Sequence, residues 1–187
     1  MKASLLMLLP FAACAPSLVD EENLPDNTDP VGEEPAEPVD AVMESYDDGS
    51  FLLMLDATSE VVPVKLDLDS RFTTLDEDWE FSMVRFDTLV NDGVGVIAIE
   101  GQAFEDVVTW DDADWAIGSE GSSLLATWWD YDLNNHVLSP ADIVFLFQTD
   151  EGAVFKMQFE DYYADAGTPA TVTVTVAELV KEDDVPE

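Results

Sequence analysis

The chain has 187 residues, with 42 Asp and Glu against six Lys and Arg, one Cys and one His, for a formal net charge of −36. A field of that sign repels phosphate backbones and anionic surfaces, so no nucleic-acid partner is expected. A lone Cys cannot close an internal disulfide, so the fold must rest on its core.

The first element is a leader. Lys2 supplies a positive start, Leu5 to Phe11 an apolar stretch broken by Pro10, and Ala12 and Ala13 a small-residue end before Cys14. The run is too short to span a bilayer and has the layout of a signal peptide, residues 1–13. Small residues followed by Cys are the pattern cut to leave an acylated N-terminal Cys, so Cys14 is the expected lipid attachment point. Several acyl chains, palmitate among them, anchor stably where one would not. Ala15 follows, so an Asp that would retain the protein at an inner membrane is absent there.

Residues 14–40 form the second element. From residue 15 to 40 there are nine acids, several Pro and no Lys or Arg. Such a segment buries too little apolar surface to offset chain entropy and is expected to be a disordered, extended tether. Nine acids from 42 leave 33 against five bases from residue 41 onward, so the acidity belongs to the domain as well.

Residues 41–181 are expected to form one domain, followed by an acidic tail, residues 182–187. SFLLMLDA (50–57) and VVPVKLDL (61–68) read as strands joined by a turn near Thr58 and Ser59, with Val64, Leu66 and Leu68 on one face and Pro63 at a strand start. WEFSMVRFDTLV (79–90) reads as one strand, with Trp79, Phe81, Met83 and Arg85 alternating with Glu80, Ser82, Val84 and Phe86. Asn91-Asp92-Gly93 then predicts a hairpin into VGVIAIE. The Gly/Ser cluster at 118–123 reads as loop, LLATWWDY (124–131) as a strand and DLNNHVLSP (132–140) as a turn. ADIVFLFQT (141–149) and AVFKMQFEDYY (153–163) flank Asp150-Glu151-Gly152 as a hairpin. In its second strand Val154, Lys156, Gln158 and Glu160 form the polar face, opposite Ala153, Phe155, Met157 and Phe159. TVTVTVAELV (171–180) closes the domain, and no amphipathic helix is evident. The fold class is all-β, mainly antiparallel sheets.

Few residues carry recognisable chemistry. No strained nucleophile turn surrounds a Ser, and neither a phosphate-binding Gly loop nor a zinc spacing is present, so an enzyme is not expected. Asp130, Asp132 and Asn134 have the opening spacing of a calcium loop, but Asn135 and Ala141 stand where Gly and Glu belong. A polar turn is the alternative. Asp111, Asp112 and Asp114 beside Trp110 and Trp115 read as a solvated loop with aromatic anchors. Trp128, Trp129 and Tyr131 suit either the core or a flat apolar ligand groove.

These blocks resemble one family. Trp129 to Tyr131, His136 to Pro140, Phe155-Lys156-Met157 and Asp161 to Tyr163 follow, in order and spacing, the C-terminal signature of HmuY-like lipoproteins. DWEFSMVRF (78–86) and NDGVGV (91–96) are a more divergent upstream match, and the likeness spans residues 78–165. The resemblance implies an all-β domain lipid-anchored at the outer membrane, binding haem and passing it to a receptor there. Haem needs axial ligands such as His or Met. His136 is the imidazole candidate and Met83 the thioether candidate, although the face Met83 shares with Trp79 and Phe81 also suits a core. Arg71, Arg85 or Lys156 would have to meet the propionates in so negative a field. The competing readings are a surface recognition lipoprotein that binds something other than haem, and a calcium-stabilised structural one.

Overall fold

The longest strands follow from alternation. In Pro169–Lys181 the Val residues 172, 174 and 176 are buried while Thr171, Thr173 and Thr175 are half-buried, the burial period of two that a strand with one core face demands. The structure, a computed structural model, describes residues 42–111, 114–164 and 167–181. The described residues belong to one compact unit. The leader, Cys14, the tether to residue 40 and the tail at 182–187 lie outside the described residues, as does Asp112.

Fourteen strands, one short α-helix and one 3-10 turn at Phe104–Asp106 are described. They are β1 (Val42–Ser45), β2 (Phe51–Asp56), β3 (Val64–Asp67), β4 (Phe72–Thr74), β5 (Phe81–Val84), β6 (Asp87–Val90), β7 (Gly95–Glu100), β8 (Thr109–Trp110) and β9 (Ala116–Ile117). Helix α1 (Ser119–Leu125) precedes β10 (Trp129–Asp132), β11 (Val137–Pro140), β12 (Ile143–Gln148), β13 (Val154–Tyr163) and β14 (Pro169–Lys181). The large sheet runs β1-β2-β14-β13-β12-β7-β9, with β8 joined to β14 in parallel; a second runs β4-β3-β5-β6; β10 and β11 form a separate ribbon. All other pairings are antiparallel. The all-β expectation is met.

The main core fills the space between the two sheets. Phe51, Leu53, Leu55, Phe145, Phe147, Met157 and Phe159 of the large sheet pack with Leu66, Phe81 and Met83 of the small one and with Leu125 and Trp128. Strand β12 is apolar on both faces, and its alternate residues Val144 and Leu146 face a second core with Val107, Val154 and Leu179. Phe104, Val107, Trp110 and Trp115 cover that face, a role that local composition does not announce. Lys156, read as a solvated polar-face residue, is 7% exposed because this cover lies over it. Its Nζ donates to the Phe104 and Val107 carbonyls at 2.6 and 2.8 Å and sits 4.0 Å from the Phe104 ring centroid. Trp110 and Trp115 meet edge to face under the same cover, and a Cβ on Gly95 would stand 2.8 Å from that of Trp115. Only glycine admits that approach.

The strands expected at 50–57 and 61–68 form as β2 and β3 and enter different sheets; Asp56 caps the turn after β2 through the Thr58 N–H, and the Ala57 N–H goes to the Ala170 carbonyl. Three local expectations fail, each for a tertiary reason. The run at 79–90 is two strands, folded back at Arg85-Phe86. Arg85 takes a positive φ of 58°, held by its N–H to the Ala57 carbonyl and its guanidinium to the Thr58 carbonyl. Asn91-Asp92-Gly93 turns the chain as expected, but β6 and β7 part into separate sheets, so no hairpin forms there. Residues 119–125 are helical, with the Ser122 and Ser123 hydroxyls bonded back to the Gly118 and Ser119 carbonyls. The Ser122 hydroxyl also receives the Val90 N–H, tying the helix to the small sheet. The hairpin β12–β13 forms as expected, with Gln148 opposite Val154.

Trp128 is fully buried, stacked on Phe159 at a centroid distance of 4.5 Å, and its indole N–H reaches the Phe86 carbonyl. Trp128→Ala is expected to lower the unfolding free energy by about 3–5 kcal/mol, as large-to-small aromatic truncations in cores do. Denaturant unfolding followed by Trp fluorescence checks this.

Candidate functional site

The sequence-derived candidates gather on the β10–β11 ribbon. Trp129 pairs with Pro140, Asp130 with Ser139, Tyr131 with Leu138 and Asp132 with Val137. The turn between them is built by Asp132, whose carboxylate accepts from the Asn134 N–H at 2.8 Å and the Asn135 side-chain amide at 2.7 Å. These bonds, the Asn134 backbone first, hold its pKa below the usual carboxylate value. Asp132 is therefore occupied as the capping residue of a polar turn. Among the described residues the one cluster of three acidic groups with metal-ligand spacing lies elsewhere. The calcium expectation at these three positions is not supported.

His136 ends the turn at a φ of 57°, a region His tolerates better than most side chains, and its N–H donates to the Asp132 carbonyl at 2.8 Å. Its exposed ring has Nδ1 3.0 Å from the Tyr131 hydroxyl, which leaves Nε2 outside that bond. Leu133 is 77% exposed in the turn, and Tyr131 and Val137 are exposed on opposite faces of the ribbon, Tyr131 paired with Leu138 and Val137 with Asp132. The Tyr163 hydroxyl accepts the Leu138 N–H at 3.1 Å and pins the ribbon to β13.

The other candidates separate from this ribbon surface. Met83 is 1% exposed and packed in the main core, because the face it shares with Phe81 points between the sheets. It offers no axial ligand to an exterior haem. Met157 is likewise core, while Met54 is exposed on β2. Trp128 lines no groove; it is core. Trp129 is half-buried, edge-on to Phe86 at 5.5 Å, and Tyr131 is exposed, so these two are the aromatics of the set that a ligand can reach. Lys156 is committed to the carbonyls described above, and Arg71 lies over the Phe51 ring at 4.6 Å.

A second group was not foreseen. Asp67 at the end of β3, Asp69 just beyond it and Glu80 just before β5 bring carboxylate oxygens within 4.8 Å of one another. Glu80 is 4% exposed, and its Oε2 accepts the Leu68 N–H at 2.6 Å. Burial first, and then the negative charges of Asp67 and Asp69, push its pKa up to about 7 against that hydrogen bond. Asp69 is also raised, chiefly by burial and then by Glu151 and Asp67. Against this, a side-chain hydrogen bond from Thr149, just after β12, lowers the Asp69 carboxyl. Asp67-Leu68-Asp69 is visible in the sequence, but its meeting with Glu80 depends on the pairing of β3 with β5.

No protein-family model matches the chain, and no curated protein is a significant relative. Solved structures do match. The apo HmuY analog of Tannerella forsythia is 16% identical with a TM-score of 0.59, over 76% of this chain and all of its own. A structure described as an HmuY-like haem-binding protein of Bacteroides vulgatus is 14% identical with a TM-score of 0.59, over 73% of this chain and 96% of its own. A structure described as a lipoprotein of Bacteroides fragilis is 14% identical with a TM-score of 0.58, over 71% and 91%. The described domain has the HmuY-like fold.

A carboxyl whose pKa is raised on folding binds its proton more tightly in the native state. Its contribution is fully favourable below pH 4.5 and is lost as pH rises through about 7. In metal-free buffer Glu80→Gln, which keeps an oxygen for the Leu68 N–H, is expected to raise stability at pH 8 and to leave it little changed at pH 4. The gain is about 2 kcal/mol, below the full linkage value because some solvent reaches the carboxyl. Urea unfolding at the two pH values measures it.

Proposed function

We propose that this protein is a lipid-anchored haem-binding protein exposed outside the cytoplasm, acting through the β10–β11 ribbon. The agreement of fold with HmuY-like haem-binding proteins supports the reading, and one observation on the ribbon carries it. The exposed His136 ring has Nδ1 against the Tyr131 hydroxyl, the arrangement by which a second hydrogen bond orients an imidazole whose other nitrogen binds a metal. His136 would supply one axial nitrogen, and the exposed Tyr131 beside it an aromatic contact for the porphyrin. Haem, when bound, supplies the iron and the conjugated ring; the chain's part is to orient the imidazole and shelter one face. With Met83 in the core, ligation rests on a single protein ligand. Delivery to an outer-membrane receptor, and anchorage through Cys14, belong to the same proposal.

Haemin added to the whole chain is expected to give a saturable Soret change with the high-spin character of single-imidazole ligation. His136→Ala is expected to weaken it by about tenfold or more, the loss of one iron–ligand bond, and Met83→Leu to leave the spectrum unchanged. Affinity should rise with salt, because the propionates approach a domain of like charge. Absence of a spectral change at micromolar haemin sinks the reading. The exposed Leu133 and Val137 would then favour recognition of a different apolar ligand or partner by the same ribbon.

Anchorage has its own measurement. Labelled palmitate is expected to enter the protein made in a lipoprotein-processing bacterium and to be lost in Cys14→Ala.

A further inference from the structure

We propose that Asp92 is a site of spontaneous covalent modification, isomerising to isoaspartate through a cyclic imide formed with the Gly93 backbone nitrogen. It lies in the turn that joins the four-stranded sheet to the eight-stranded one. Asp-Gly is the dipeptide in which this reaction is easiest, because glycine has no side chain to hinder the attacking nitrogen. The chain holds two, Asp48-Gly49 and Asp92-Gly93, and both are exposed. The dipeptide alone singles out neither, but their turns do.

The two pairs sit in tight turns offset by one position. In the first, the Gly49 N–H donates to the Tyr46 carbonyl at 3.1 Å, so the nitrogen that would attack is the one that closes the turn. The Asp48 carboxylate is engaged as well, accepting the Ser50 hydroxyl at 2.6 Å and the Ser50 N–H at 3.0 Å. Those bonds, the hydroxyl first, hold its pKa below the usual carboxylate value and so deplete the protonated carboxyl that the condensation needs.

In the second, the Val94 N–H donates to the Asn91 carbonyl at 3.3 Å, which puts Asp92 and Gly93 at the two central positions. The nitrogen of the central peptide takes no part in closing such a turn. Among the described residues neither the Gly93 N–H nor the Asp92 carboxylate has a hydrogen-bond partner; the bond Asp92 does make is its own N–H to the Asn91 side chain at 2.8 Å. Gly93 has a φ of 91° and open space where a Cβ would stand, so no other residue crowds the ring as it forms. Asn91 fixes the frame from behind, its N–H on the Glu80 carbonyl at 3.2 Å and its side-chain amide on the Glu77 carbonyl at 2.9 Å.

The chemistry consumes nothing but water. The Gly93 nitrogen bonds to Asp92 Cγ, the Cγ–OH bond breaks, and the nitrogen's proton leaves with the hydroxyl as water. The imide then takes up a water. Opening at Cγ restores aspartate. Opening at the backbone carbonyl routes the main chain through the side chain and frees the α-carboxylate, with no change in mass. The main chain is then longer by one carbon, so the Val94 to Asn91 bond is lost and the modified chain should melt below the unmodified one.

The whole folded chain, aged for weeks at about pH 5, where part of an ordinary Asp stays protonated, tests this. Peptide mapping with electron-transfer fragmentation reads isoaspartate at each site. It is expected to accumulate at Asp92 several-fold faster than at Asp48, and at similar rates at both in guanidinium chloride, where neither turn survives. Asp92→Glu, whose ring is larger and slow to close, should abolish the signal in its own peptide and leave Asp48 unchanged. Ser50→Ala, which removes one of the bonds on the Asp48 carboxylate, should speed reaction there. Equal rates at the two sites of the folded chain, faster reaction at Asp48, or no isoaspartate at Asp92 would overturn the proposal. A product of increased mass alone would be deamidation of Asn91 and would overturn it too.

Discussion

Phe159 sits where the two sheets and the segment after the helix meet. Its ring stacks on Trp128 at 4.5 Å and receives the edges of Phe81 and Phe145 at 6.0 Å each. One residue from the large sheet thus touches the small sheet, its own neighbouring strand and the Trp that precedes the ribbon. Aromatic contacts of this geometry add to the area they bury, and truncating any member leaves a void the others cannot fill. The rest follows from this packing. Trp128 in its slot fixes where β10 begins, and Tyr163, four residues beyond Phe159, holds β11 through the Leu138 N–H. The exposed ribbon with His136 is therefore carried on a rigid base.

The charge of the chain imposes a second constraint. Most acids lie where water screens them, but Glu80 does not, and the charges acting on it from Asp67 and Asp69 have the same sign as its own. Lys156 is the counter-example. It too is buried and pulled below its ordinary pKa, yet two carbonyls satisfy its ammonium, with Asp48 and Glu105 favouring the charge. The two groups show what separates a structural buried charge from an incomplete one.

The ribbon illustrates how one residue can serve conformation and chemistry at once. The positive φ of His136 closes the turn that Asp132 caps, and the same turn leaves the ring exposed against Tyr131. In the sequence His136 and Tyr131 are visible as candidates, since they stand five residues apart in a block that resembles a known signature. Their contact is not visible, because a strand register of Asp132 opposite Val137 has to exist first. Met83 and Trp128 were equally visible and prove to be core, since an apolar residue on an alternating strand reads the same whether its face meets another sheet or a ligand.

Local alternation in the sequence by itself determined the all-β class, the β12–β13 hairpin and the closing Thr-Val strand, because a period of two survives in any environment with one buried face. The Asp132 turn was legible too, because its bonds lie within four residues. Only the tertiary structure decided which strands are neighbours. It broke 79–90 at Arg85, sent β6 and β7 to different sheets, made a helix of the Ser-rich stretch and buried Lys156 beneath residues 104–107. It also brought Glu80 to Asp67 and Asp69 in one acidic cluster. The physical reason is common to all of these: each depends on backbone partners or burial supplied from far along the chain, and no local pattern encodes a partner's arrival.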